Sequence, residues 1–475
     1  MYLGIDLGTS GVKALLIDDT QRAVASRTAP LDVSRPHDGW SEQDPAAWIA
    51  ACEAALDALK AEAPAALAAV TGIGLSGQMH GATLVDAADE VLRPCILWND
   101  TRAHAEAAAL DADPLFHKVS GNLVFPGFTA PKLAWLKAHE PEVFGHVAKV
   151  LLPKDYLRLW LTGEHVSDMS DASGTSWLDV GARDWSDELL AASGMDRAQM
   201  PALVEGSAPS GGLRAELAGR WGMSPGTVVA GGAGDNAAAG VGTGIVTPGH
   251  GFVSLGTSGV IFAASDGFAP LPESAVHAFC HALPDSWHQM GVILSAASAI
   301  TWYAGLVGQS PEALTGDLGT ALQAPGPVTF LPYLSGERTP HNDAALRGSF
   351  HGLSHSADRA ALTRAVLEGV TFALADNQRA LRQAGTELTS LTAVGGGSRS
   401  RYWLEMIATV LDLPVEIPAD GDYGAAFGAA RLGAMAAGRS VEEICTRPAT
   451  AEVIAPVTAL QPAFAEALER FRGLR

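Results

Sequence analysis

The chain has 475 residues and a formal net charge of −21, with 48% hydrophobic but only 17% charged residues. That balance excludes a disordered chain, and 52 glycines with no Gly-X-Y period exclude collagen. Nucleic acid and anionic membrane are excluded as natural partners, because both reward positive patches. An anionic ligand would need local positive charge or a metal.

Residues 2–7 read as a strand and residues 12–17 as its hairpin partner across Gly8-Thr9-Ser10-Gly11. No basic leader precedes this strand, and the four cysteines (Cys52, Cys95, Cys280, Cys445) are widely spaced. A cytoplasmic protein without disulfides or a structural zinc site is therefore expected. Asp44-Pro45 predicts a helix N-cap followed by Pro at the first helical position, with Trp48, Cys52 and Leu56 on one face. Residues 70–75 form the next strand pattern.

Val228-Val229-Ala230 reads as a strand, Gly231-Gly232-Ala233-Gly234 as a turn, and Asp235-Asn236 as a helix start. Gly232-x-Gly234-x-x-Ala237 formally fits a dinucleotide fingerprint, which needs an acidic residue about 20 positions later. Residues 236–265 contain no Asp or Glu, so that reading is rejected. Asp235 is instead a carboxylate at a sheet edge, able to take a proton from a substrate hydroxyl or to cap the helix. His277, His281 and His288 show no metal-ligand spacing and read as core or cleft histidines. The uncharged stretch 290–310 reads as a buried strand entering a buried helix, not a membrane span. Further helices are predicted over residues 358–379, 399–411, 424–437 and 459–471. Strands alternating with helices give an α/β protein with sheets covered on both faces.

The most informative feature is a repeat. Leu7-Gly8-Thr9-Ser10-Gly11-Val12 recurs as Leu255-Gly256-Thr257-Ser258-Gly259-Val260. Both copies sit between strand-like runs, so the chain reads as two related halves, residues 1–245 and 246–475. Glycine-flanked turns let backbone N–H groups converge on an anion. Thr9, Ser10, Gly256 and Thr257 would then clamp a polyphosphate from two sides, with Lys13 adding charge. Asp6 at the strand end, together with Asp235, is placed to hold Mg²⁺. A third glycine run, Gly395-Gly396-Gly397, leads to Arg401 and a helix; Gly396, Gly397 and Arg401 are assigned to the nucleotide. There is no Walker A loop, nucleophile elbow or His-Glu-x-x-His motif.

These residues resemble the FGGY family of carbohydrate kinases. Asp6-Leu7-Gly8-Thr9-Ser10 resembles its first phosphate loop. Phe128-Thr129-Ala130-Pro131-Lys132-Leu133-Ala134-Trp135-Leu136 resembles its first signature. Gly348-Ser349-Phe350-His351-Gly352-Leu353, continuing to Ala365-Val366-Leu367-Glu368, resembles its second. Within the family, the likeness to pentulose-directed members is strongest, through Gly77-Gln78-Met79-His80-Gly81-Ala82, Leu97-Trp98-Asn99-Asp100, Leu152-Pro153-Lys154-Asp155-Tyr156 and Leu334-Ser335-Gly336-Glu337-Arg338-Thr339-Pro340. The resemblance implies two actin-like ATPase (ribonuclease H-like) domains closing on a cleft. It implies ATP and Mg²⁺ as cofactors, a homodimer, and phosphorylation of D-xylulose at O5. Met79, His80, Asn236 and Trp98 would bind the sugar, and Asp235 would be the catalytic base. One departure is Ala233, which interrupts the glycine run before Asp235; a methyl is tolerated there if the position needs no positive φ. The alternatives are a sibling kinase for another ketopentose or polyol, and an actin-like ATPase with no sugar substrate.

Overall fold

A computed structural model describes residues 1–419 and 424–474. The first half builds a seven-stranded sheet. Its spatial order is Pro209–Gly212, Val228–Ala230, Gly72–Gly77, Tyr2–Gly8, Gly11–Ile17 and Ala23–Pro30, with Ala233–Gly234 also pairing on Gly72–Gly77. The second half builds another, ordered His277–Cys280, Trp287–Ile293, Gly259–Ser265, His250–Leu255, Ser390–Val394, Val415–Pro418 and Thr450–Ile454.

The repeat is visible in this topology. In each sheet a strand–turn–strand hairpin continues into a third antiparallel strand on one side and meets a parallel strand on the other. The two turns differ in register. Gly8 pairs with Gly11, leaving Thr9-Ser10 at the tip, whereas Leu255 pairs with Gly259 and leaves Gly256-Thr257-Ser258 free of the ladder. The larger second loop is tied down from outside: Thr257 O accepts from Ala296 N, and Gly256 O accepts from Ala297 N, where the helix Ala297–Val307 begins.

Each sheet carries its own apolar core. Leu3, Ile5, Leu16, Leu56 and Ile73 pack around the first, and Val253, Ile261, Val370, Leu391 and Trp403 around the second. The division by chain halves is not a division by contacts. The helix Ala425–Ala436 returns to the first sheet and lies directly on its central strands. A Cβ on Gly4, Gly72 or Gly74 would run into the backbone of Ala426, Gly433 or Ala429. Absent side chains set this spacing, which is the close approach that glycine permits. The same helix meets Asp235–Thr243 through Gly428, and Arg431 Nη1 donates to Val241 O (2.8 Å) and Gly242 O (3.2 Å) at that helix's C-terminus. A cation there complements the helix dipole.

Most predicted elements occur with shifted ends. The helix expected over 358–379 spans Arg359–Gln383, with Asp358 as its N-cap. The one expected over 399–411 is a 3₁₀ turn, Gly396–Arg399, and then Arg401–Leu411 capped by Ser400. Asp44 caps Pro45–Glu62 as expected. The 290–310 stretch is the strand Trp287–Ile293 followed by the helix Ala297–Val307, and no helix among the described residues is long and apolar enough to cross a membrane. The last helix, Gln461–Arg472, docks Phe464 and Phe471 into the second core, and Arg472 pairs with buried Asp376 at 2.9 Å.

Candidate active site

Between the two sheets lies a cavity of about 310 Å³ lined by Met79, His80, Trp98, Asp235, Asn236 and Gly256, and also by His277 and Arg338. All five sugar-side positions expected from the sequence therefore share one space. Gly396, Gly397 and Arg401 border a separate cavity of about 550 Å³, together with Ile300, Glu312 and Tyr402. A third, of about 340 Å³, is bounded by Ala239 and Thr243 of the helix that starts at Asp235, and by Gly395 and Ser398.

Asp235 opens the helix Asp235–Thr243, but not as its cap. Gly234 is the N-cap, and Asp235 is the first helical residue. The carboxylate bonds locally: Oδ1 accepts from Asn236 N (2.7 Å) and Asn236 Nδ2 (2.9 Å). The turn before it takes positive φ at Gly232 (77°), while Ala233 is absent from the positive-φ positions. The methyl that interrupts the glycine run is thus accommodated. The cleft walls strip water from Asp235 and, with the nearby charge of Asp6, raise its carboxyl to about 6. Burial also raises Asp6, against a 2.7 Å bond from Ser76 Oγ and the attraction of Lys13, its cross-strand neighbour. Two neighbouring, poorly solvated carboxylates, one raised by the charge of the other, suit a divalent cation, which would relieve both.

Met79-His80 is held in an unusual geometry. His80 has φ of 70°, a left-handed conformation that non-glycine residues adopt only under restraint. The restraint comes from the first signature. His80 O accepts from Thr129 Oγ1 (3.1 Å) and from buried Lys132 Nζ (2.7 Å), and the imidazole stacks on Phe128 at 4.4 Å between centroids. Burial lowers the Lys132 ammonium to about 7. It lowers His80 to about 3, so the ring is neutral. With Nδ1 donating to Gly174 O at 2.7 Å, Nε2 is left as an acceptor for a substrate hydroxyl.

The first hairpin tip connects to the sugar side. Thr9 Oγ1 donates to Gln78 Oε1 (3.0 Å) and accepts from Trp98 Nε1 (3.0 Å). Trp98 is 46% exposed, a large indole on an open cavity wall. Ser10 fixes the next strand through its carbonyl, which accepts from Leu31 N. Arg401 is held by Glu452 (2.9 Å) and Glu405 (3.7 Å).

Beneath the turn that precedes Asp235 lies an ionic cluster with no solvent exposure. Lys154 Nζ lies 2.5 Å from Asp155, 2.8 Å from Asp168 and 3.0 Å from Asp171, and Arg158 reaches Asp155 at 3.0 Å. Three carboxylates face two cations. Burial pushes the Asp171 carboxyl well above the usual range, against the attraction of Lys154. The cluster holds the turn directly: Arg158 Nη2 donates to Gly231 O, and Ser170, bonded to Asp168, accepts from Gly234 N. In the sequence Lys154-Asp155 belongs to a family-like stretch that by itself implies no role.

His277, one of the histidines read as core or cleft residues, lines the cavity, and so does Arg338, to which the sequence assigns no role. The signal is present for Arg338, in Glu337-Arg338-Thr339-Pro340, but nothing in one sequence says that this segment reaches a cavity shared with Met79, His80, Trp98, Asp235 and Asn236 of the other half. His277 lies against Phe125 and Phe128. His281 and His288 face the interior instead, His281 against Ile245 O (3.1 Å) and His288 on Phe262.

Comparison with known proteins gives concordant matches. Residues 1–242 match the profile described as FGGY family of carbohydrate kinases, N-terminal domain, and residues 251–437 match the C-terminal domain of that family. The chain is 54% identical to the xylulose kinase of Escherichia coli K12 over 92% of this chain and 90% of that protein. It is 36% identical to that of Lactococcus lactis over 92% and 88%. The crystal structure of a xyloylose kinase from Brucella ovis superposes with a TM-score of 0.99 at 66% identity, covering 100% of this chain and 98% of the other. A xylulose kinase from Rhodospirillum rubrum superposes at 0.93 with 31% identity, covering 100% and 98%.

Proposed function

The chain belongs to the FGGY family of carbohydrate kinases, and from that premise we propose that it transfers the γ-phosphoryl group of ATP to O5 of D-xylulose, giving D-xylulose 5-phosphate and ADP. Its fold is the actin-like, two-lobed α/β fold of that family. The observation that carries the substrate reading is the shared cavity of Met79, neutral His80, Asp235 and Asn236, a polyol-sized space with a base at one end. An actin-like ATPase without a sugar would have no use for it.

Phosphoryl transfer depends on positioning and charge neutralisation more than on covalent chemistry. In this reading Asp235 accepts the O5 proton as the oxygen attacks the γ-phosphorus, and Asn236 fixes which carboxylate oxygen faces the substrate. His80 Nε2 and Trp98 hold the sugar. The Gly8–Gly11 and Gly256–Gly259 turns, with Thr9, Ser10, Thr257 and Lys13, receive the phosphates, and Gly396, Gly397 and Arg401 border the nucleoside. Asp6 and Asp235 are the carboxylates that would hold Mg²⁺, whose charge would neutralise the transferring phosphates. The residue ranges 1–245 and 246–475 serve as sugar and nucleotide halves, with the helix Ala425–Ala436 shared across the boundary. A homodimer follows from the family resemblance alone. A cytoplasmic setting follows from it too, and the unpaired Cys52, Cys95, Cys280 and Cys445 are consistent with a reducing compartment.

A coupled ADP-release assay across ketopentoses, pentitols and no sugar tests this. D-xylulose should give the highest kcat/KM. Preference for another ketopentose would overturn the sugar assignment, and ATP hydrolysis indifferent to sugar would overturn the kinase reading.

A further inference from the structure

The cavity wall contains a cation that the reaction above does not use. Arg338 lines the cavity from the second half, with its guanidinium carbon 4.6 Å over the Phe125 ring and Nη1 3.5 Å from His277 Nε2. Its neighbour Glu337 points elsewhere, accepting from Leu294 N (2.9 Å) and from the Arg338 amide (2.8 Å). Among the described residues, the guanidinium therefore has an aromatic platform and a histidine but forms no ion pair with a carboxylate.

We propose that Arg338 recognises the C2 carbonyl of the substrate in its open-chain form. The inference rests on the O5-kinase reading above and deepens it. The chemistry requires such a group. A ketopentose closed as a furanose uses O5 in the ring, so a molecule phosphorylated at O5 is bound open, with a free ketone at C2. That oxygen only accepts hydrogen bonds. A guanidinium only donates them, through a rigid fork. The other polar walls suit hydroxyls, which both donate and accept: Asn236, and His80 through its free Nε2. Position fits as well. Arg338 stands beside His277, whose ring lies 5.9 Å from Phe128, the ring on which His80 stacks, and Asp235 lines the same cavity. A five-carbon chain with its terminal hydroxyl at Asp235 presents its carbonyl end to Arg338. His277 Nε2, as acceptor toward Nη1, would orient the fork.

The same arrangement discriminates. A pentitol places a C2 hydroxyl where the ketone belongs; its oxygen can still accept from the fork, but its O–H needs an acceptor that the guanidinium cannot be. Sites built around a specific hydrogen bond reject analogues in this way.

The test compares D-xylulose with xylitol, its C2-reduced analogue, at saturating ATP in the wild type, Arg338→Met and Arg338→Lys. Where xylitol is not turned over, its Ki against D-xylulose replaces kcat/KM. The Met variant should lose about 10- to 100-fold in kcat/KM for D-xylulose, mostly in KM, the scale of a hydrogen bond to a charged group. Its interaction with xylitol and its KM for ATP should barely change, and Lys should restore part of the loss. Equal losses on both sugars would mean that Arg338 only supports the wall, and a fall confined to kcat with a raised ATP KM would place it on the phosphoryl group; either overturns the proposal. If the Met variant does not fold, the ketose-to-pentitol ratio of the Lys variant decides, and an unchanged ratio overturns it. A wild type inactive on D-xylulose would sink the O5-kinase reading instead, a result separable from all of these.

Discussion

The backbone amide of Gly234, the residue before Asp235, donates a 3.2 Å hydrogen bond to Ser170 Oγ. Ser170 is fully buried and bonded in turn to Asp168, which is paired with Lys154. The turn that presents the Asp235 carboxylate is thus held from below by a fully buried ionic cluster. Ser170→Ala should lower kcat by roughly 10-fold, the effect of letting a reacting group drift, with KM for sugar and ATP little changed. Unaltered kcat in a folded variant would show that the turn holds itself.

Asp235→Asn keeps the shape of the site and removes the base. Turnover should fall at least ~10²-fold, the usual scale for a positioned base, while sugar binding measured by calorimetry persists. Near-wild-type turnover would reduce Asp235 to a helix-start residue.

Gly74 faces the backbone of Ala429 in the helix Ala425–Ala436, with no room for a methyl. Gly74→Ala should destabilise the protein by about 1–3 kcal/mol through overpacking, read as a lower melting temperature. Gly219, which has nothing within 4 Å of its would-be Cβ and lies inside the helix Ala215–Trp221, is the control. Gly219→Ala should be neutral or slightly stabilising, because alanine favours helix. Equal melting temperatures for the two variants would contradict the close-approach argument.

Glu368 is 3% exposed on the long helix Arg359–Gln383, and burial raises its carboxyl from 4.5 to about 8, against a 3.2 Å bond from Gly326 N. The folded protein keeps a proton that the unfolded chain releases above about 4.5, so this residue makes stability decline as pH rises from there to about 8. Glu368→Gln mimics the protonated form. The two proteins should melt together near pH 5, and the variant should melt at least about 2 °C higher near pH 8.5. A gap that does not widen with pH would mean that Glu368 is ionised in the folded state.

Much of the active site was legible because its groups lie in short, contiguous motifs. The paired Gly-Thr-Ser-Gly turns, Asp6 and Asp235 declared themselves by residue type and spacing, since a phosphate turn or a base at a helix start needs only neighbours in the chain, whereas Met79-His80 and Asn236 were marked by the family resemblance. The halves and the strand-to-helix order followed from the repeat and from periodicity. What stayed hidden depends on contacts between distant residues. No local pattern reveals that Lys132 holds the carbonyl of His80, that Lys154 and Arg158 anchor the turn before Asp235, or that Arg338 faces a cavity that both halves line. Nor could it reveal that a helix from the second half lies on the glycines of the first sheet. The sequence by itself determined which groups do chemistry, because chemistry is a property of side chains and their near neighbours. The tertiary structure decided which charges are buried, which are paired and which face the cavity, because solvation and geometry are set only when the chain brings remote segments together.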